Sequence, residues 1–263
     1  MTDTVSTLKT AHAFYPFPFR FNTSSSQSLS FSTNFVFAME HESFGFGHGM
    51  AFVISPSMDF SEAVAGAYLR LFNYSNNGLS TNHILAVELD SVQTPEFYDI
   101  EEDHVGIDIN SLISNQSAPA TCFSDEEGIN KSLSLRDRDL IQIWIDYNAA
   151  EMLLNVTQAP IKVPKPSKPL LSKPLNLSPI LLDSMYVGFS ASTDLNGYLS
   201  YILGWSFNRT GQAQYLDISK LPPRSSIEGT DSLSFNFFIF FLPMIVAVIA
   251  ISVSVYIVKK KKY

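Results

Sequence analysis

The chain has 263 residues, 46% of them hydrophobic and 16% charged, with a formal net charge of −8 at pH 7 and a single cysteine, Cys122. That length suits one large all-β domain, the acidic balance leaves no basic stripe for nucleic acid, and a lone cysteine forms no internal disulfide. Stability must come from a packed core, with bound metal as a supplement.

Residues Met1 to Lys9 lack the apolar run of a secretory leader, so the chain reads as N-terminally truncated, beginning inside a longer frame. From Ser28 to Phe37 the residues alternate, which predicts a half-buried strand with Leu29, Phe31, Thr33, Phe35 and Phe37 on its core face and mostly Ser and Asn towards solvent. A Gly-rich turn from Phe44 to Gly49, with His48 in it, leads into the continuous apolar run Met50 to Ile54, expected of a core strand. The glycines at 45, 47 and 49 do not make a nucleotide loop, because no Lys-Ser/Thr pair and helix follow. Further strands are predicted at Ala67 to Phe72, His83 to Asp90, Val105 to Ile109, Leu140 to Tyr147, Met152 to Gln158, Met185 to Ser190 and Tyr201 to Phe207, with Trp144 and Trp205 in the core.

Many short strands separated by turn signals predict an antiparallel sandwich or barrel. Pro160, Pro164, Pro166, Pro169, Pro174 and Pro179 make the stretch they punctuate a surface crossing or an edge. Too few strands follow it for a second domain. Beyond a Ser- and Pro-rich stalk, residues 236–258 carry an uncharged apolar run of roughly 22 residues, about the length that spans a bilayer. Lys259 to Lys262 after it mark the cytoplasmic side and leave the large domain outside. Sequons at Asn22, Asn73, Asn115, Asn130, Asn155, Asn176 and Asn208 agree with export.

The most informative segment runs from Glu88 to His104. Residues two apart on a strand face the same way, so Glu88 and Asp90 project together while Leu85, Val87 and Leu89 face the opposite side. Two adjacent carboxylates repel unless a cation lies between them. Asp99 and His104, brought back by a loop, complete an all-oxygen site beside a mixed oxygen and imidazole site, a pairing that suits calcium next to manganese. Glu101, Glu102 and Asp103 read as a solvated turn. A glycosidase would need its two carboxylates free around an open cleft, and a hydrolytic zinc centre would need more imidazole or thiolate than one nearby His.

The ordered landmarks Ala13-Phe-Tyr-Pro16, Ser32-Thr-Asn-Phe-Val-Phe37, Gly47-His-Gly-Met-Ala-Phe-Val-Ile-Ser-Pro56, Val87-Glu-Leu-Asp90, His104-Val-Gly-Ile-Asp-Ile-Asn-Ser111, Trp144-Ile-Asp-Tyr147, Leu154-Asn-Val-Thr157, Val187-Gly-Phe-Ser-Ala-Ser-Thr193 and Ile202-Leu-Gly-Trp-Ser-Phe207 resemble the legume lectin fold. The nearest resemblance is to the ectodomains of plant L-type lectin receptor-like kinases. It implies a two-sheet jelly-roll sandwich in which Mn2+ and Ca2+ hold a loop against the front sheet. The implied manganese ligands are Glu88, Asp90, Asp99 and His104. The implied calcium ligands are Asp90, Asp99, the carbonyl of Val92, and Thr94 where soluble lectins carry Asn. In the implied sugar pocket, His48 replaces an Asp, Ala67 and Arg70 replace glycines, and Asp194 stands where receptor-type members often have Gly. A Thr hydroxyl cannot coordinate and donate as an amide does, and an imidazole offers a different donor set from a carboxylate.

The expected layout is a lectin-like domain at 1–218, a juxtamembrane stalk at 219–235, one transmembrane helix at 236–258 and a basic tail at 259–263. The expected role is non-enzymatic recognition of an extracellular glycan at the plasma membrane, with weak or altered monosaccharide affinity. The family's kinase motifs are not in the sequence, so signalling would run through a co-receptor kinase, and homo-oligomers are compatible. The alternatives are a protein-binding or apolar-ligand-binding ectodomain on the same scaffold, a truncated non-functional receptor fragment, and retention in the endoplasmic reticulum by the terminal lysines.

Overall fold

The computed structural model describes residues 10–21, 29–41, 47–137, 139–193 and 198–222. The expected stalk from residue 223 onward, the membrane span and the basic tail lie outside the described residues. Among the described residues no helix is long and apolar enough to cross a membrane.

The strands are β1 (Thr10–Phe14), β2 (Phe19–Arg20), β3 (Phe31–His41), β4 (Gly47–Ser55), β5 (Leu85–Asp90), β6 (His104–Ile109), β7 (Gln116–Pro119), β8 (Thr121–Ser124), β9 (Ile129–Ser132), β10 (Ile141–Asn148), β11 (Leu153–Pro160), β12 (Leu171–Pro174), β13 (Ser184–Thr193) and β14 (Tyr198–Asn208). They form a seven-stranded sheet in the order β1-β13-β4-β5-β6-β7, with β2 also on β13, and a five-stranded sheet in the order β12-β11-β10-β3-β14. Strands β8 and β9 make a separate hairpin. Every pairing is antiparallel. The two large sheets enclose the main core as the expected jelly-roll sandwich.

Alternation builds that core. Leu29, Phe31, Phe35 and Phe37 meet Phe52, Leu85, Val87, Leu89 and Phe189 between the sheets. Phe35 and Phe189 touch edge to face with ring centroids 4.9 Å apart. Thr33 shares the dry face because its hydroxyl donates to the Ser206 carbonyl at 2.8 Å and accepts from Trp205 Nε1 at 2.9 Å. The edge predicted in the proline-rich stretch is β12, paired with β11 alone.

Four expectations are corrected. The segment Ala67 to Phe72 is a 3-10 turn at Gly66–Tyr68 followed by Leu69 and Arg70 at φ +47° and +57°, conformations that no strand adopts. Its apolar residues fill a second cluster, in which Tyr68, Leu69, Leu71 and Phe72 pack on Ala51, Val53 and Ala86 of the seven-stranded sheet. The polar side of β3 is also covered: Leu216 and Leu221 pack over Val36, Ala38 and Leu203, and Asn34 Nδ2 donates to the Gln214 carbonyl at 3.0 Å. Leu221 belongs to the segment expected as stalk. Trp205 packs against the main core, but Trp144 alternates out of it and lies 6.0 Å under the Lys165 ammonium. Finally, His48 lies on β4 rather than in a turn.

Candidate metal centre

Strand β5 sets the site. Its odd residues Leu85, Val87 and Leu89 point into the main core, which obliges Glu88 and Asp90 to share the other face. That face is also dry, with Glu88 2% and Asp90 3% exposed. His104 opens β6 directly across from Asp90 in the strand register. Its Nε2 lies 3.3 Å from Glu88 Oε1 and 3.8 Å from Asp99 Oδ1. One ligand atom each from Glu88, Asp90 and His104 fall within 4.8 Å of one another.

The imidazole is oriented from behind. Its Nδ1 lies 2.9 Å from the Glu101 carbonyl and 3.0 Å from the Glu102 carbonyl. Carbonyls only accept, so the proton sits on Nδ1 and the Nε2 face is turned to the carboxylates. The intervening loop is tied down by the same acids. Val92 N–H donates to Asp90 Oδ1 at 2.7 Å, and Thr94 N–H donates to Asp99 Oδ2 at 2.6 Å. Phe97, 5% exposed, anchors the tip of the loop in the second apolar cluster.

Two residues that the sequence reading passed over belong to this centre. Asp108 is fully buried, and Ser114 Oγ lies 2.8 Å from both Asp108 Oδ1 and Glu88 Oε1. The missed signal was periodicity: His104, Gly106 and Asp108 share one face of β6. Gly106 leaves room for the cluster, since a Cβ there would collide with Ser114 Oγ and Glu88. On the neighbouring strand Gly49 takes φ +122° where a Cβ would run into the Leu89 carbonyl, so β4 approaches β5 closely at this end.

Electrostatics make the cluster self-repelling. Burial, then the charge of Glu88, pushes the Asp90 carboxyl well above its ordinary range, and the Val92 N–H only partly offsets this. Burial and then Glu88 do the same to Asp108, and burial raises Asp99. For His104 burial opposes protonation, yet the hydrogen bond and charge of Glu88, with the charges of Asp90 and Asp99, push the imidazole up to about 9. Without a cation the cluster must hold protons. The donor set of carboxylate oxygens and one oriented imidazole nitrogen fits divalent cations, and Asp108 Oδ2 is a further buried oxygen without a hydrogen-bond partner. Val92 and Thr94 join through their backbone N–H groups.

Among the expected pocket residues, His48 adjoins the loop that follows Asp90 and lies against the turn that carries Ala67. The His48 carbonyl accepts from Ser91 N–H at 3.3 Å, and its ring lies over Gly66, where a Cβ would meet His48 Nε2 at 3.5 Å. Gly66 N–H donates to Ser192 Oγ at 2.6 Å. Ala67, next in that turn, packs on the second apolar cluster. Asp194 lies outside the described residues. Among the sequons, Asn115, Asn130 and Asn176 are exposed, whereas Asn73 and Asn208 donate their amides to the carbonyls of Glu62 and Gln212. Asn155 sits inside β11 between Asp146 and Ser172 with a buried Oδ1, and Asn22 lies outside the described residues.

The family model described as legume lectin domain matches residues 1–223. The chain is 53% identical over 175 residues to the L-type lectin-domain containing receptor kinase I.8 of Arabidopsis thaliana, a match covering 66% of this chain and 26% of that protein. It thus spans about a quarter of that relative's length. Lectin II from Ulex europaeus shares the fold at a TM-score of 0.64 and 24% identity, over 79% of this chain and 84% of that one. Lectin I-B4 from Griffonia simplicifolia in its metal-free form is similar at a TM-score of 0.60 and 28% identity, over 76% and 80%.

Proposed function

The chain belongs to the legume lectin domain family, whose fold is non-enzymatic, and from that premise we propose that it is a membrane-anchored, metal-stabilised recognition domain of receptor type that reads an extracellular glycan. The observation that carries this reading is the buried group Glu88, Asp90 and His104, with one ligand atom each within 4.8 Å of one another, and Asp99 Oδ1 3.8 Å from His104 Nε2. Ca2+ and Mn2+ bound there would neutralise the carboxylates and stiffen the loop from Asp90 to His104. The chain's own residues do the rest: Val92 and Thr94 hold the acids by their N–H groups, and Phe97 locks the loop tip.

Weak or altered affinity for simple sugars follows from how the pocket residues are employed. The backbone N–H of Thr94 is already committed to Asp99, and the His48 ring lies against Gly66. Titration of glucose, mannose and galactose into metal-loaded protein tests this. Millimolar or weaker binding is expected, and micromolar binding of any of the three contradicts it. The receptor context rests on the kinase named in the Arabidopsis relative and on the apolar run at 236–258 followed by four lysines. In this reading residues 1–218 form the recognition domain, 219–235 a stalk, 236–258 the membrane span and 259–263 a cytoplasmic tail at the plasma membrane. Asn115, Asn130 and Asn176 are the sequons best placed to carry glycans, because their side chains are at the surface.

A further inference from the structure

The turn before His104 is more than a solvated connection. It carries Glu101, Glu102 and Asp103, acids that repel one another, yet its backbone presents two carbonyls to one imidazole N–H. Arg136 reaches across from the segment between β9 and β10. Its Nη2 lies 2.7 Å from Glu102 Oε2, and its Nε lies 3.2 and 3.3 Å from the two Asp103 carboxylate oxygens. Only a quarter of the guanidinium-bearing side chain is exposed, and Asp103 is 16% exposed, so the pair is sheltered enough to be rigid.

Arg136 is itself anchored. Leu135 beside it is buried in the main core, Leu133 N–H donates to the Ala120 carbonyl at 2.8 Å, and Ala120 N–H donates to the Asp103 carbonyl at 2.9 Å. A continuous chain of contacts therefore runs from the core, through Arg136, to the turn whose carbonyls fix the His104 tautomer. We infer that Arg136 is a positioning residue for the metal centre, clamping Glu102 and Asp103 so that the carbonyls of Glu101 and Glu102 hold His104 with Nε2 towards Glu88 and Asp99. The inference rests on the cluster being a cation site, and it makes a prediction opposite in sign to simple electrostatics. Removing a positive charge near a cation site should tighten metal binding by Coulomb's law. Loss of a positioning clamp should weaken it, by about 10-fold on the scale seen when support behind a ligating His is lost.

The test is calorimetric titration of Mn2+ into chelator-treated wild type, R136Q and R136K, with 15N NMR of His104 in protein loaded with diamagnetic Zn2+. R136Q should bind Mn2+ about 10-fold more weakly, and its His104 Nδ1–H signal should lose the exchange protection it has in wild type. R136K, which restores the charge but not the two-point fork, should fall between the two. Equal or tighter binding by R136Q with an unchanged Nδ1–H signal overturns the role of Arg136. A wild type that binds no metal overturns the cation-site reading on which it rests.

Discussion

The two faces of strand β5 are equally dry and energetically opposite. Val87 and Leu89 are 0% exposed on one side, and Glu88 and Asp90 are 2% and 3% exposed on the other. Burial of the first set stabilises the sandwich whatever the solution contains. Burial of the second set costs free energy unless protons or a cation neutralise it. The strand thus couples an unconditional core to a conditional site, which places the loop from Asp90 to His104 under the control of whatever occupies the cluster.

Breaking the apolar face should have the largest effect. Phe35→Ala empties a fully buried site between the sheets and should lower stability by about 3–5 kcal/mol in chemical denaturation, equally with and without metal. A loss that depended on metal would mean that the two faces are not separable as described.

The polar face should respond to pH. The folded His104, raised to about 9 from 6.5, contributes stability that is complete below pH 6.5 and is lost as pH rises through 9. Asp90 and Asp108, also raised when folded, act in the same direction, because the unfolded chain gives up their protons first. Chelated protein should therefore lose on the order of 2–3 kcal/mol between pH 6 and pH 9.5, while metal-loaded protein loses much less. Thermal melts across that range check the sign; a chelated protein that gains stability with pH would exclude the proton-holding cluster. A smaller loss, about 1 kcal/mol, is expected from Ser114→Ala, which removes the hydroxyl that bridges Glu88 Oε1 and Asp108 Oδ1. Here too the loss should be greatest in chelated protein.

The apolar half of this comparison was legible in sequence because it repeats with period two. Leu29 to Phe37 and Leu85 to Leu89 need no partner to be recognised. Glu88, Asp90, Asp99 and His104 were legible as ligand types; the structure groups Glu88, Asp90 and His104 within 4.8 Å and sets Asp99 3.8 Å from the imidazole. What local pattern could not reveal was contact between distant segments. Arg136 meets Glu102 and Asp103 from more than thirty positions away, and Leu216 and Leu221 cover the side of β3 that its Ser and Asn residues mark as solvated. Ala67 to Phe72 read as a short, mostly apolar strand, but Leu69 and Arg70 bend left-handed so that the apolar residues can cap the outer face of the seven-stranded sheet. Asp108 needed only the period-two count carried past His104, whereas Ser114 comes from the turn after β6.

The central claim is that Glu88, Asp90, Asp99 and His104 form a cation site that governs the loop they hold. Melting of chelator-treated protein at neutral pH, with Ca2+ and Mn2+ added back and bound metal quantified by elemental analysis, tests it most directly. The account predicts stoichiometric metal and a higher melting temperature that returns to the chelated value when His104 is replaced by Ala. Metal contents below stoichiometry with an unchanged melting temperature would contradict it.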